Sequence, residues 1–251
     1  MLKEIVIAIQ AYRKAHLFIG KHRLWKWILI PGLVYMILFT IGLYFFWISA
    51  DTAVSELFSG LDKWLHKQHN PAMSFAAILV GIMARLIMMF FYFSLFKYLF
   101  LILGSPVFSY LSEKTESIIE GKAFVFNRAV FFHDIGRGIK LALRNCGWQT
   151  VYTIFILILS FIPLIGSIAP VISGLLECYF YGFSMLDYSC ERHELSPSES
   201  INFIGQRRGL AIGNGLVFYL MHFVPFVGWV LAPSYALIAA TISLYHQNID
   251  S

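Results

Sequence analysis

The chain alternates long apolar runs with shorter polar stretches, and the run lengths set the architecture. Trp27 to Ala50 is 24 residues without a charge. About 20 apolar residues span a bilayer as a helix, so 27–50 reads as one full crossing, with Pro31 in its first turns, where proline is tolerated. A second run, 72–103, is interrupted only by Arg85 and Lys97. As a helix it would measure about 48 Å at about 1.5 Å per residue, against a hydrocarbon core of about 30 Å. Gly104-Ser105-Pro106 is its predicted end.

The polar stretches carry their own periodicity. Residues 1–26 are basic and polar, and residues 51–70 close on Asn70-Pro71, a turn signal. In 107–147, Glu113, Glu116 and Glu120 recur at helical spacing and Gly121 suits a C-terminal cap. Further on, Arg137, Lys140 and Arg144 form a basic stripe, while Phe132, Ile135, Ile139, Leu143 and Cys146 fill another face. That pattern predicts an amphipathic helix over 128–147, suited to a membrane surface.

The C-terminal part holds an internal repeat. Phe161-Ile162-Pro163-Leu164-Ile165-Gly166 returns as Phe223-Val224-Pro225-Phe226-Val227-Gly228, and Ala-Pro follows each copy, at Ala169-Pro170 and Ala232-Pro233. Each copy is an apolar arm, a Pro/Gly-broken centre and a second arm: about 151–162 with 171–186, and about 212–224 with 234–245. Arms of this length fall short of a bilayer. They predict helical hairpins that enter and leave on one side. Between the copies lies a charged connector, 187–210, in which Ser196-Pro197-Ser198-Glu199 has the capping-box form.

Charge placement favours this topology. With two full crossings and two re-entrant hairpins, fifteen Lys/Arg lie on one side and two (Lys63, Lys67) on the other. If each broken segment crossed instead, the split would be twelve against five. The positive-inside rule prefers the first arrangement, with a cytoplasmic N-terminus. The predicted class is therefore an all-α integral membrane protein. It has two long transmembrane helices, two half-penetrating hairpins over 151–186 and 212–245, and amphipathic cytoplasmic helices.

Composition narrows the function. Of 251 residues, 59% are apolar and 13% charged, about half the charge of a soluble domain. That excludes a soluble or disordered chain. The net charge of +5 fits basic loops beside anionic lipid better than a nucleic-acid partner. Cys146, Cys178 and Cys190 have neither disulfide-framework nor zinc spacing. No signal-peptide pattern stands out, because the apolar run after residue 26 is too long. No catalytic constellation or cofactor motif is present, and His66 with His69 is a solvated pair rather than a metal site.

Several residues remain as candidates. Arg85 lies deep in the second run, and an intramembrane ionisable group is a functional candidate by default. Glu177, mid-arm in the first hairpin, is its possible ion-pair partner. An ion pair and a pathway lining are both open for these two. The broken centres at Pro163, Gly166, Pro225 and Gly228 would aim half-helix N-termini at the membrane interior, as transporters do for anions. They could equally serve only to make the turn.

With these features in view, the chain resembles the CysZ sulfate-permease family, whose domain is shared with eukaryotic etoposide-induced membrane proteins. The markers are Gly104-Ser105-Pro106 with Leu111 and Glu113, the Phe161–Gly166 block with Ala169-Pro170, Leu186-Asp187-Tyr188 with His193, Arg207-Arg208, and Val224-Pro225 through Ala232-Pro233 with Ala240-Thr241. The resemblance implies a bacterial inner-membrane homo-oligomer that takes up sulfate for cysteine synthesis. It also implies a sulfate site at a Gly-Leu/Ile-Arg-Arg stretch before the first run. Here that stretch reads Arg23-Leu24-Trp25-Lys26: Arg23 stands at the glycine, Trp25 at the first arginine and Lys26 at the second. A sulfate site would then exist in altered form, with a point charge in place of a guanidinium fork.

The expectation is a permease for sulfate or a similar inorganic oxyanion. Arg23 and Lys26 would gather the anion, the broken centres would form the path, and Arg85 would set charge selectivity. The alternative is a non-transporting membrane-shaping scaffold, whose half-inserted hairpins and basic helix 128–147 would bind anionic lipid.

Overall fold

The structure is a computed structural model that describes residues 1–66, 71–122, 128–160, 162, 166–193 and 195–245. Among these the secondary structure is helical: α1 (Leu2–Lys21), α2 (Trp25–His66), α3 (Pro71–Glu120), α4 (Arg128–Leu159), α5 (Ala169–Arg192), α6 (Pro197–Gln206), α7 (Arg208–His222) and α8 (Val227–Tyr245). Four segments are long and apolar enough to cross a membrane, namely Trp25–Thr52, Ile78–Glu120, Ala169–Glu191 and Val227–Tyr245. The protein is an all-α membrane protein. Pro163, His69 and residues 123–127 of the predicted 107–147 region lie outside the described residues.

Several helices run past their predicted ends, each for a local reason. α3 continues through Gly104-Ser105-Pro106 to Glu120. Pro106 has no N–H for the carbonyl of Ile102, and the Ser105 hydroxyl donates to that carbonyl instead at 2.9 Å. Gly104 leaves room for the Phe108 ring, which a Cβ would meet at 2.7 Å. Lys97 is thus mid-helix, and buried. The predicted surface helix 128–147 and the first hairpin arm are one helix, α4, of 32 residues.

The second arms also extend further, to 24 residues in α5 and 19 in α8. Pro170 occupies the first turn of α5, where it starts a helix rather than breaking one. The connector behaves as its sequence predicts. Ser196 accepts from the Glu199 N–H, and the Glu199 carboxylate accepts from the Ser196 N–H, so α6 begins with a complete capping box.

The chain divides into two compact units, residues 1–36 with 98–251, and residues 37–97. In the smaller unit, Phe39 packs on Phe96 and Phe46 stacks on Tyr92, with ring centroids 5.3 and 4.7 Å apart. The Tyr92 hydroxyl reaches the Phe39 carbonyl at 3.4 Å. Gly42 admits the Tyr92 hydroxyl, which a Cβ would meet at 2.4 Å. Ile41, Phe45, Trp47, Ile78, Val80 and Leu86 are exposed.

In the larger unit α8 is the centre. Residues Ala232 to Leu244 are all buried, as expected of a helix apolar on every side. Around it α5 crosses α7 at backbone contact. A Cβ on Gly182 would lie 1.9 Å from the Ala211 carbonyl oxygen, and one on Gly215 would lie 2.0 Å from that of Cys178. Cys178 and Gly182 on one helix therefore face Ala211 and Gly215 on the other, four residues apart on each. This is the small-residue packing that lets membrane helices approach closely.

The N-terminal segment is more than a polar tail. Ala8, Ala11, Tyr12, Ala15 and Ile19 form a buried face of α1. Tyr12 donates to the Asn214 carbonyl at 2.8 Å, His16 meets the Tyr235 hydroxyl at 2.8 Å, and the Gly209 N–H donates to Glu4 at 2.9 Å.

Candidate functional site

The turn between α1 and α2 carries Arg23 and Lys26, and its backbone explains part of its sequence. Arg23 has φ 55°, in the left-handed region that favours glycine. The turn is held by Leu24, buried at 2% exposure, whose N–H donates to the Ile19 carbonyl at 3.1 Å. The glycine that the resemblance places at position 23 would adopt this conformation without strain. Both cationic side chains are exposed at the N-terminus of α2. Free backbone N–H groups and the positive dipole end make such a terminus suited to anions. Trp25 and Trp27 flank it, half-exposed.

Each broken centre carries an equivalent glycine in an equivalent hydrogen bond. The Gly166 N–H donates to the Ile162 carbonyl at 2.7 Å, and the Gly228 N–H donates to that of Val224 at 2.9 Å. A Cβ on Gly166 would lie 2.3 Å from the Ser160 oxygen, and one on Gly228 would lie 1.8 Å from that of Met221. Pro225 is followed by Phe226 at φ 61°, and the Trp229 indole caps the end of α7 by donating to the His222 carbonyl at 3.0 Å. Phe223, Val224, Phe226 and Val227 at this tip are exposed, as are Ile162 and Ile168 at the other.

Arg85 and Glu177 have separate partners. Arg85 donates to Asp51 at 2.9 Å, with both side chains exposed. Glu177 accepts from the Gln149 amide and, at 2.9 Å, from the Tyr219 hydroxyl.

Glu177 belongs to a polar seam between α4 and α5 that the sequence reading misses. At one end Arg137, 8% exposed, meets Asp187 at 3.0 Å, Glu191 at 3.4 Å and the Ser200 hydroxyl at 2.5 Å. Near its middle a cleft of about 10 Å³, room for roughly one water, is lined by Gly138, Asn145, Ser184 and Asp187. Arg144 donates to Asn145 Oδ1 at 3.0 Å and so fixes the amide, whose Nδ2 is buried without a partner. At the far end Gln149 accepts from Tyr98 and donates to Glu177.

Arg137 therefore turns inward, and the predicted basic stripe keeps only Lys140 and Arg144 at the surface. On a helical wheel Arg137 sits at the edge of the basic arc, next to Leu141. Which way it turns is decided by the carboxylates of α5. A signal was present: Arg137, Asn145 and Gln149 recur at multiples of four, and Glu177, Ser184, Asp187 and Glu191 share one arc. Two carboxylates, Asp187 and Glu191, face one guanidinium, and Glu177 adds a third at the far end, so the seam repels an anion. The turn at Arg23 and Lys26 instead carries two exposed cations.

Comparison with known proteins places the chain among relatives. Residues 11–233 match the family described as Sulfate transporter CysZ/Etoposide-induced protein 2.4. A protein named Sulfate transporter CysZ from Pseudomonas fluorescens (strain Pf0-1) is 24% identical over 219 residues, covering 86% of this chain and 83% of its own. One of the same name from Pseudomonas aeruginosa (strain LESB58) is 25% identical over 217 residues, with 86% and 85% covered. From turn to second hairpin, the chain belongs to the Sulfate transporter CysZ/Etoposide-induced protein 2.4 family.

Proposed function

We propose that this protein is a permease for sulfate or a similar inorganic oxyanion, carrying it into the cytoplasm for sulfur assimilation. The observation that carries the reading is the family match across residues 11–233, joined to relatives named as sulfate transporters. Arg23 and Lys26 supply the anion-gathering charge. The left-handed backbone at Arg23 supports this, since it preserves a glycine-type turn beneath an altered set of cations.

In this reading the whole chain acts as one membrane domain. It sits in a bacterial inner membrane as a homo-oligomer, with the N-terminus cytoplasmic and the hairpin tips within the lipid. The exposed apolar residues at both tips support that insertion, because a tip ending in water would be polar. The pathway runs past the turns at Gly166 and Gly228. Arg85 contributes charge selectivity while Asp51 limits the cost of its position. The protein is a transporter and not an enzyme.

The experiment is radiolabelled sulfate uptake into proteoliposomes, competed with selenate, phosphate and chloride. Saturable flux blocked by selenate is expected, reduced in Arg23→Gln, Lys26→Gln and Arg85→Ala. Flux no greater than in empty liposomes, from protein shown to be folded, overturns the reading.

A further inference from the structure

Helix α1 presents three faces. One, from Ala8 to Ile19, is buried against α7 and α8 through the Tyr12, His16 and Glu4 hydrogen bonds. A second is apolar yet exposed: Leu2, Val6, Ile9 and Leu17 are 80, 50, 43 and 66% accessible. Beside it, Lys3, Lys14 and Lys21 line a basic edge. Arg13 interrupts the apolar stripe, four residues from both Ile9 and Leu17, and is exposed.

Connectivity fixes where this face lies. α1 ends at Lys21 and α2 begins at Trp25, the first residue of a segment fit to cross a membrane. α1 is therefore at the level where the hydrocarbon gives way to headgroups. An apolar stripe at that level rests on acyl chains, and a cation within the stripe meets phosphate. Arginine suits this position because its planar fork binds phosphate oxygens in pairs.

From this placement we infer that α1 is a binding surface for anionic phospholipid, with Arg13 on one headgroup phosphate, Lys3 and Lys21 about 12–15 Å along the helix on neighbouring headgroups, and Val6, Ile9 and Leu17 on the chains. Zwitterionic lipid offers the same phosphate but adds a positive headgroup along a cationic helix edge, so it binds less well. The inference is independent of which solute the protein carries.

The test is native mass spectrometry of the purified full chain in detergent, with phosphatidylglycerol and phosphatidylcholine of identical tails competing at equal concentration. Wild type should retain phosphatidylglycerol at least about tenfold better, since each basic residue at a membrane surface is worth roughly fivefold. Arg13→Gln should lower the preference by about fivefold and the triple Lys3→Gln, Arg13→Gln, Lys21→Gln variant should lower it further, while Arg13→Lys keeps part. These side chains are exposed, and unchanged melting temperatures would confirm intact folding. Equal retention of the two lipids, an unchanged preference in Arg13→Gln, or displacement of phosphatidylglycerol by millimolar inorganic phosphate would each overturn the proposal. So would a disulfide between copies formed through Val6→Cys, which would assign the face to a second copy of the chain.

Discussion

Arg137 on α4 and Asp187 on α5 sit 3.0 Å apart with side chains only 6 and 7% accessible. This pair ties the first hairpin together where it would otherwise bury opposite charges separately. Glu191 and Ser200 complete the cluster, so α4, α5 and α6 are joined at one point. Taking one partner from such a cluster leaves uncompensated charge in a low-dielectric interior.

Arg137→Gln should therefore be severely destabilising, by about 3–5 kcal/mol, the cost of breaking a buried pair. Adding Asp187→Asn and Glu191→Gln should recover most of that loss, because the interior would then hold no net charge. Thermal unfolding in detergent reads both effects. A single variant that melts like wild type would mean that the cluster is solvated.

The α5–α7 crossing makes a sharper structural prediction. Gly182→Ala and Gly215→Ala each place a Cβ about 2 Å from a backbone carbonyl oxygen, so the helices must separate. A loss of about 1–3 kcal/mol is expected for each from overpacking. Gly174, in the same helix as Gly182 but with open space around it, is the control. Gly174→Ala should be neutral or gain up to about 1 kcal/mol of helix propensity.

At the α1–α2 turn, backbone and charge can be separated. Arg23→Gly relieves the left-handed conformation, so stability should hold or rise while sulfate flux falls. Arg23→Val should lower both, since a β-branched residue strains that backbone by about 1–3 kcal/mol. Trp25→Arg would restore a guanidinium beside Lys26 and should lower the KM for sulfate. Flux unchanged in Arg23→Gly would remove this side chain from anion binding.

The α6 capping box predicts a pH dependence. The Ser196 hydroxyl, and then the Ser196 backbone N–H, hold the Glu199 carboxyl below its ordinary value. A carboxylate with a depressed folded value adds stability that is full above the ordinary value and is lost as pH falls through the folded one. Amide exchange in the first turn of α6 should therefore show less protection, corrected for intrinsic rates, as pH drops below about 4. Glu199→Gln should flatten that dependence.

The sequence by itself determined the class and the membrane location. Run length and charge density act locally, and nothing elsewhere in the chain reverses them. It also determined the capping box at Ser196 and the equivalence of the two glycine turns, since each is specified within a few residues. Tertiary structure decided what lies between. The polar tail became a packed helix because Ala8 to Ile19 found α7 and α8 to lie against. α3 ran on past Pro106 because Phe108 found Tyr188 of α5 to pack against, while the Ser105 hydroxyl satisfied the freed carbonyl locally. Arg137 turned inward because α5 brought two carboxylates to it, and a charge in a membrane protein goes where its counter-charge is.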